Sequence, residues 1–519
     1  MCNTTANVGQ RASASQAACR VGLAKRGFAI TSMDCTRHDF IRDSAAFFVA
    51  AGLGGFAFGG DPAQAQLRVG ILSDIHIALK DSDRSAYIGI DMFEKALRYF
   101  RDRKVDAVLV AGDLADNGID SELLAIGDAW RRVFPQNRRP DGGMVEKVFV
   151  YGNHDIDGWS FMKGAKGLFK TDADRDRLAI GRGGNRGRVW REAFDEDYSP
   201  AYVKDVKGYK FVGVQYGEFD KAGVVGEFLE AHRAELAGNR PFFYTQHYHP
   251  RGTCSAPWVW GQDSGNSTAA LKRFPNAVSF TGHSHTPLTD ERTLWRGEFT
   301  SVGTASLKYL IPFGGRENSR IFGARDSKHQ QMPALTCLDG HHGQVMTVFP
   351  DRIVLERRDF ENDLPAAPDW VVPLPLAAAT FAERSQKAPV PEFEAGAKVS
   401  VRQVDGRDRR GGKVRQAVVS FPNVRGLGGG ARAFDFEVRV EAREVDREKT
   451  WIVKRVYSPH CYWSPERDDE TVTCLFALSE LPPPNGNLAP ERGIEYRFAV
   501  SPADSFGRHG AAIYSDLQS

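Results

Sequence analysis

Apolar residues along this chain fall into two rhythms. Five short runs are almost continuously apolar: Leu67–Leu72, Val105–Val110, Lys147–Tyr151, Pro241–Thr245 and Val278–Phe280 with its flanks. Between them the spacing turns helical, with Ile90, Phe93, Leu97 and Phe100, then Leu123, Gly127, Trp130 and Phe134, then Val225, Leu229, His232 and Leu236. Apolar strands alternating with amphipathic helices predict an α/β domain whose strands are buried on both faces. Past about residue 305 the helical rhythm fades, and QVMTVFPDRIVLERRDF (344–360) alternates as a hairpin that completes the outer strands. Residues 373–397, rich in proline and alanine at their start, read as a linker. From 398 the chain reads as strands only, with Phe434, Phe436, Val438, Val440 and Ala442, and Tyr496, Phe498 and Val500, in strict alternation. About seven short strands there predict a small all-β sandwich.

Each of the five apolar runs stops at the same kind of side chain. The first delivers Asp74 and His76, and the second breaks at Gly112 and delivers Asp113. The third breaks at Gly152 before Asn153, His154 and Asp155, the fourth delivers His247 and His249, and the fifth ends in Gly282, His283 and His285. In sheets of this class the site lies beyond the carboxyl ends of the strands, so these groups can converge. Carboxylates, one amide oxygen and several imidazoles, without cysteine, suit zinc, manganese or iron. They exceed the needs of one tetrahedral ion, whereas two ions about 3.5–4 Å apart would use them all and could act on a phosphoryl centre.

The ordered series Asp74-x-His76, Gly112-Asp113, Gly152-Asn153-His154-Asp155, His247 and Gly282-His283-x-His285 resembles the calcineurin-like metallophosphoesterase superfamily, over residues 67 to about 305. The resemblance implies a four-layer α/β/β/α sandwich, extending here to 372, and hydrolysis of a small phosphomonoester or phosphodiester at a dinuclear centre. It implies that Asp74, His76 and His285 hold one ion, that Asn153, His247 and His283 hold the other, and that Asp113 bridges them. His154 is then the acid that assists the leaving oxygen. Asp155 reads either as a support that holds His154 or a ligand histidine, or as a solvated aspartate. His249 shares the face of His247 on an extended chain and is the alternative ligand. Purple acid phosphatases, a branch of the superfamily, carry a metal-binding tyrosine where this chain has Asp116, which argues against a tyrosinate-bound ferric ion.

Other polar features carry less. Asp116 and Asn117 read as caps of the following helix, with contact to substrate as the alternative. His341 and His342 read as a hairpin turn. The glycine- and arginine-rich stretch 174–188 follows no strand and opens no helix, so it reads as an inserted loop, and 402–415 reads as a solvated face. A net charge of +2 gives no footprint for nucleic acid.

Length allows more than one domain. Residues 1–66 read as a leader and export signal. TRHDFIR (36–42) precedes the apolar stretch Ala45–Phe58, which is too short to span a membrane, and a small-x-small site follows at Ala63–Ala65. The signal is twin-arginine-like, with His38 in place of the second arginine, and implies a periplasmic or secreted protein with no transmembrane span once mature. Export would leave Cys254, Cys337, Cys461 and Cys474. Of these, Cys461 and Cys474 are expected to pair across a hairpin, and Cys254 with Cys337 by elimination. Two function classes follow: an exported dinuclear phosphoesterase, or a relic metal domain carrying a C-terminal fibronectin type III or immunoglobulin-like sandwich as a binding module.

Overall fold

The strands that end in the polar groups divide between two six-stranded mixed sheets. The first runs, edge to edge, Leu364–Pro373, Arg352–Asp359, His342–Val348, Leu67–Leu72, Ala107–Ala111 and Glu146–Val150. Its last three strands are parallel, and the rest pair antiparallel. The second runs Leu294–Arg296, Thr300–Gly303, Ala277–Thr281, Phe242–Thr245, Tyr209–Val214 and Ala201–Val206, parallel through its middle four. This computed structural model describes residues 64–80, 86–163, 168–254, 261–312, 315–319, 335, 337–408, 411–425, 431–444, 447–462, 471–482 and 494–518. The export signal expected before Gln64 lies outside the described residues.

Strand alternation explains how one run of apolar residues serves two cores. Val69, Ile71, Leu109 and Val148 point into a core shared with Phe243, Val278, Phe280 and Val302 of the other sheet. Leu72, Val108, Val110 and Phe149 point the other way, onto the helices Ile90–Asp102 and Asp120–Val133, where Phe93, Leu97, Phe100, Leu123 and Trp130 are buried. Each such side chain contributes about 1.5–3 kcal/mol. On the far face of the second sheet, Val212, Phe242 and Tyr244 pack against Val225, Leu229 and Leu271.

Glycine and arginine at 174–188 do not keep that stretch out of helices. The chain forms Asp172–Leu178 and then Asn185–Phe194, because Val189, Trp190, Ala193 and Phe194 recur at helical spacing and bury in the first core. His341 and His342 do not form a turn either. His342 opens a strand and is fully buried; its Nδ1 accepts from the Leu288 amide at 3.2 Å, and its Nε2 donates to the Tyr462 carbonyl at 3.0 Å.

Beyond residue 373 the chain holds a short helix, Phe381–Lys387, whose Arg384 reaches the Glu291 carboxylate at 3.0 Å. Two further sheets follow. One orders Ser400–Arg407, Lys413–Pro422 and Thr471–Ala477; the other orders Arg447–Tyr457, Asp435–Glu444, Glu495–Ala503 and Ile513–Tyr514. Phe436, Val438, Val440, Phe476, Phe498 and Val500 fill the core between them.

The four cysteines past the leader are buried free thiols. Cys474 lies inside this last core while Cys461 lies with Cys337 in the inter-sheet core, so the expected Cys461–Cys474 pair would have to join two separate cores. Cys254 is likewise unpaired, with its thiol 3.4 Å from the Ser301 hydroxyl.

Candidate metal centre

Backbone bonds between loops bring the strand ends together. The Asp74 amide donates to the Gly112 carbonyl and the His76 amide to the Asp113 carbonyl, both at 3.0 Å, so the first two loops run side by side. The Leu307 amide donates to the Ser73 carbonyl at 3.1 Å and ties the second sheet's last loop to the first. Gly282 donates to the His247 carbonyl at 2.9 Å. At Asp74, His76, Asp113, His283 and His285 φ is 51°, 49°, 52°, 68° and 52°. Left-handed backbone costs a side-chain-bearing residue about 1–2 kcal/mol, and it persists where surrounding structure imposes it. The conformation turns each side chain back across the strand end instead of along it.

Two clusters result. In the first, Asp74 Oδ1 lies 3.1 Å from His285 Nε2 and 3.8 Å from His76 Nε2, and the two Nε2 atoms are 3.3 Å apart. In the second, His247 Nε2 lies 3.1 Å from Asp113 Oδ2, 3.1 Å from Asn153 Oδ1 and 3.2 Å from His283 Nδ1. Asp113 Oδ2 is also 3.6 Å from His76 Nε2, so one carboxylate oxygen stands between the clusters. All of these residues but the half-buried Asn153 are buried.

Hydrogen bonds on the outer side of the rings settle what faces inward. Nδ1 of His285 donates to the Tyr309 carbonyl at 2.8 Å, and Nδ1 of His247 to the Ala111 carbonyl at 2.8 Å. Nδ1 of His76 lies 3.0 Å from Asp116 Oδ1. A neutral ring that donates at Nδ1 presents a lone pair at Nε2. The lone pairs of these three rings, two carboxylates and an amide oxygen therefore converge, a set that suits a cation, and the mixed nitrogen and oxygen character suits a borderline divalent ion. Without a cation, protons take its place. Burial opposes charge on His76, but hydrogen bonds to Asp116 and Asp74 and the charge of Asp113 outweigh it and raise its pKa to about 10. Against the same opposition from burial, Asp113 and Asp74 raise His247 to about 9. Burial would raise the pKa values of Asp74 and Asp113, yet the neighbouring imidazoles hold both below the usual carboxylate range.

The remaining expected residues scatter. His154 sits edge-on to His76 with ring centroids 4.4 Å apart, and its Nδ1 donates to the Asp116 carbonyl at 2.9 Å. Asp155 does not hold a histidine. Fully buried, it accepts from the backbone amides of Leu114, Ala115 and Gly152 at 3.2, 2.7 and 2.7 Å, clamping the loop that carries Asp113. Burial and the charge of Asp113 raise its pKa to about 7. His249 stands apart from the clusters, its nitrogens 2.7 Å from the Thr281 hydroxyl and 2.8 Å from that of Ser284. The chain leaves its extended form after Thr245, so the two histidines no longer share a face. Burial lowers His249 to about 4.

Asp116 is not a helix cap. The next helix starts at Asp120, and Asp116 instead faces His76 and lies 3.5 Å from His154 Nδ1. Its signal was its place three residues after Asp113, on a segment that bridges Ile77. Asn117 donates its side-chain amide to the Glu122 carboxylate at 2.6 Å. Aromatic rings around the clusters carried no periodic signal: Tyr309 lies against His285, Tyr248 stacks on His283 with centroids 4.1 Å apart, and Phe161 meets His154 edge-on.

Among solved structures the chain is similar to a dimetal phosphatase from Danio rerio, at 11% identity and TM-score 0.34, over 60% of this chain and 99% of that one. It is also similar to a conserved uncharacterised protein from Streptococcus pneumoniae titled a predicted phosphoesterase (13%, TM-score 0.24, 59% and 97%). A third similar structure is vacuolar protein sorting 29 from Cryptosporidium parvum (10%, TM-score 0.26, 59% and 95%). No curated protein matches the chain. The family model of calcineurin-like phosphoesterases matches residues 67–287, and this part of the chain is a calcineurin-like metallophosphoesterase domain whose His/Asp clusters suggest a dinuclear metal site.

Proposed function

We propose that the chain is an exported phosphoesterase that hydrolyses a small phosphomonoester or phosphodiester with two metal ions. One observation carries the reading: Asp113 Oδ2 lies 3.1 Å from His247 and 3.6 Å from His76, between two clusters of carboxylate and imidazole groups. Asp74, His76 and His285 would hold one ion, Asn153, His247 and His283 the other, and Asp113 both. Bound ions would supply activation of water and neutralisation of charge on the phosphoryl oxygens. The protein's own part falls to His154. With Nδ1 held by the Asp116 carbonyl, the proton it would give to the leaving oxygen sits on Nε2.

Cores on both faces of two stacked sheets support a four-layer α/β/β/α sandwich over 67–372. In the C-terminal part, residues 398–519, the first, second and fifth strands form one sheet and the fourth, third, sixth and seventh the other, an order that supports a fibronectin type III-like domain. Export is proposed from residues 36–65, and mature protein beginning near Gln66 in mass spectrometry would test it.

Activity is tested with purified protein of measured metal content on bis(p-nitrophenyl) phosphate, p-nitrophenyl phosphate and esters of poorer leaving groups. His154→Ala should lose a factor of about 10²–10⁴ on an alkoxide leaving group and little on p-nitrophenolate, with metal retained. Equal losses on both, or loss of metal with the imidazole, would overturn this role for His154.

A further inference from the structure

The His154 imidazole meets two aromatic rings. One is His76, edge-on at 4.4 Å, and the second is Phe161, edge-on at 4.9 Å. His154 and Phe161 belong to one helix, Asn153–Phe161. Seven residues span two turns, so they project from the same face. The Phe161 side chain is 45% exposed, whereas most phenylalanines around the centre are buried in the cores. The neighbouring Trp159 points elsewhere, edge-on to Phe169 and under the Arg182 guanidinium. The His154 ring thus touches both a metal-cluster histidine and an exposed aromatic ring.

A leaving oxygen that takes its proton from His154 must sit at Nε2, because Nδ1 is engaged, and among the described residues no protein group meets Nε2. The organic group attached to that oxygen is then held beside the imidazole, whose exposed ring neighbour is Phe161 at 4.9 Å. We infer that Phe161 seats the organic body of the leaving group, so that the enzyme favours phosphoesters whose leaving alcohol carries a flat apolar ring over those of small polyols. This rests on the phosphoesterase reading above. Phe161 acts on binding and selectivity, and the bond broken is still the ester P–O bond, with the proton passing from His154 to the departing oxygen.

The test compares kcat/KM for a phenyl ester, a nucleoside ester and a glycerol ester of phosphate in the metal-loaded protein, in wild type, Phe161→Ala and Phe161→Tyr. Because each substrate is compared with itself across variants, the intrinsic acidity of its leaving group cancels. Phe161→Ala should lower the preference for ring-bearing esters over the glycerol ester by about three- to tenfold, the worth of one aromatic contact. The fall should lie in KM, and Phe161→Tyr should restore it. Loss for the phenyl ester alone would assign the seat to aryl groups, and loss for the nucleoside ester alone to bases. A preference unchanged in Phe161→Ala, or a loss spread evenly over all three esters, would overturn the inference while leaving the phosphoesterase reading intact. Wild-type protein holding two ions and cleaving none of the esters would overturn both.

Discussion

Asp116 Oδ1 lies 3.0 Å from His76 Nδ1, on the side of the ring that faces away from the metal cluster. The carboxylate fixes the tautomer and the aim of the imidazole. Removing such a partner commonly lowers metal affinity about 10–100-fold. Asp116→Ala is therefore expected to weaken the ion at Asp74, His76 and His285 by that factor, read by competition with a metal indicator. Unchanged affinity would show that packing alone orients His76.

Asp113 contributes one oxygen to both clusters, which predicts coupled loss. Asp113→Asn should lower occupancy of both ions, whereas His285→Ala should empty its own cluster first. Elemental analysis separates the two patterns. Since metal activation supplies several kcal/mol, hydrolysis by Asp113→Asn should fall by about two to four orders of magnitude.

His76 and His247, at about 10 and about 9 against an ordinary 6.5, hold protons more tightly in the folded metal-free protein than in the unfolded chain. Their contribution to metal-free stability is complete below the ordinary value and is lost as pH rises through 9 to 10. Metal affinity runs the other way, rising with pH by about tenfold per unit for each proton displaced. Melting of metal-free protein across this window, and calorimetry in buffers of different ionisation heat, measure both. Metal uptake without proton release would contradict the assignment.

Gly152 is required by close approach: a Cβ there would come within 2.1 Å of Asp113 Oδ1 and 2.5 Å of its amide nitrogen. Gly152→Ala should displace Asp113, lower metal content, and destabilise the fold by about 1–3 kcal/mol, a typical overpacking penalty. Denaturant unfolding with metal analysis tests it; full metal content would mean that the loop yields.

The buried thiols should resist labelling in native protein and react only on unfolding. Rapid native labelling of Cys461 or Cys474 would contradict their burial.

The convergence of these His and Asp side chains was legible in the sequence because its signal is local: an apolar run, then Asp, Asn or His, repeated at five strand ends. What the sequence hid depends on the chain's path after the strand. Period-two reasoning put His247 and His249 on one face, but the backbone turns after Thr245 and sends them to different partners. Asp155 follows His154 directly, yet the helix start directs it inward to backbone amides. Asp116 resembles a cap until the loop carrying it bridges Ile77 beside His76. The cysteines failed for a related reason: closeness in sequence says nothing about which of two cores a side chain enters.

The division of the ligands between two sheets bears on how the protein matures. Asp74, His76, Asp113 and Asn153 follow strands of the first sheet, and His247, His283 and His285 follow strands of the second. A nascent chain that has made only the first half owns Asp74, His76, Asp113 and Asn153 but none of His247, His283 and His285, so neither of the two proposed ion sites is complete in it. Loading of the proposed pair would therefore wait until both sheets have docked, so a bound pair of ions would certify that the domain has finished folding.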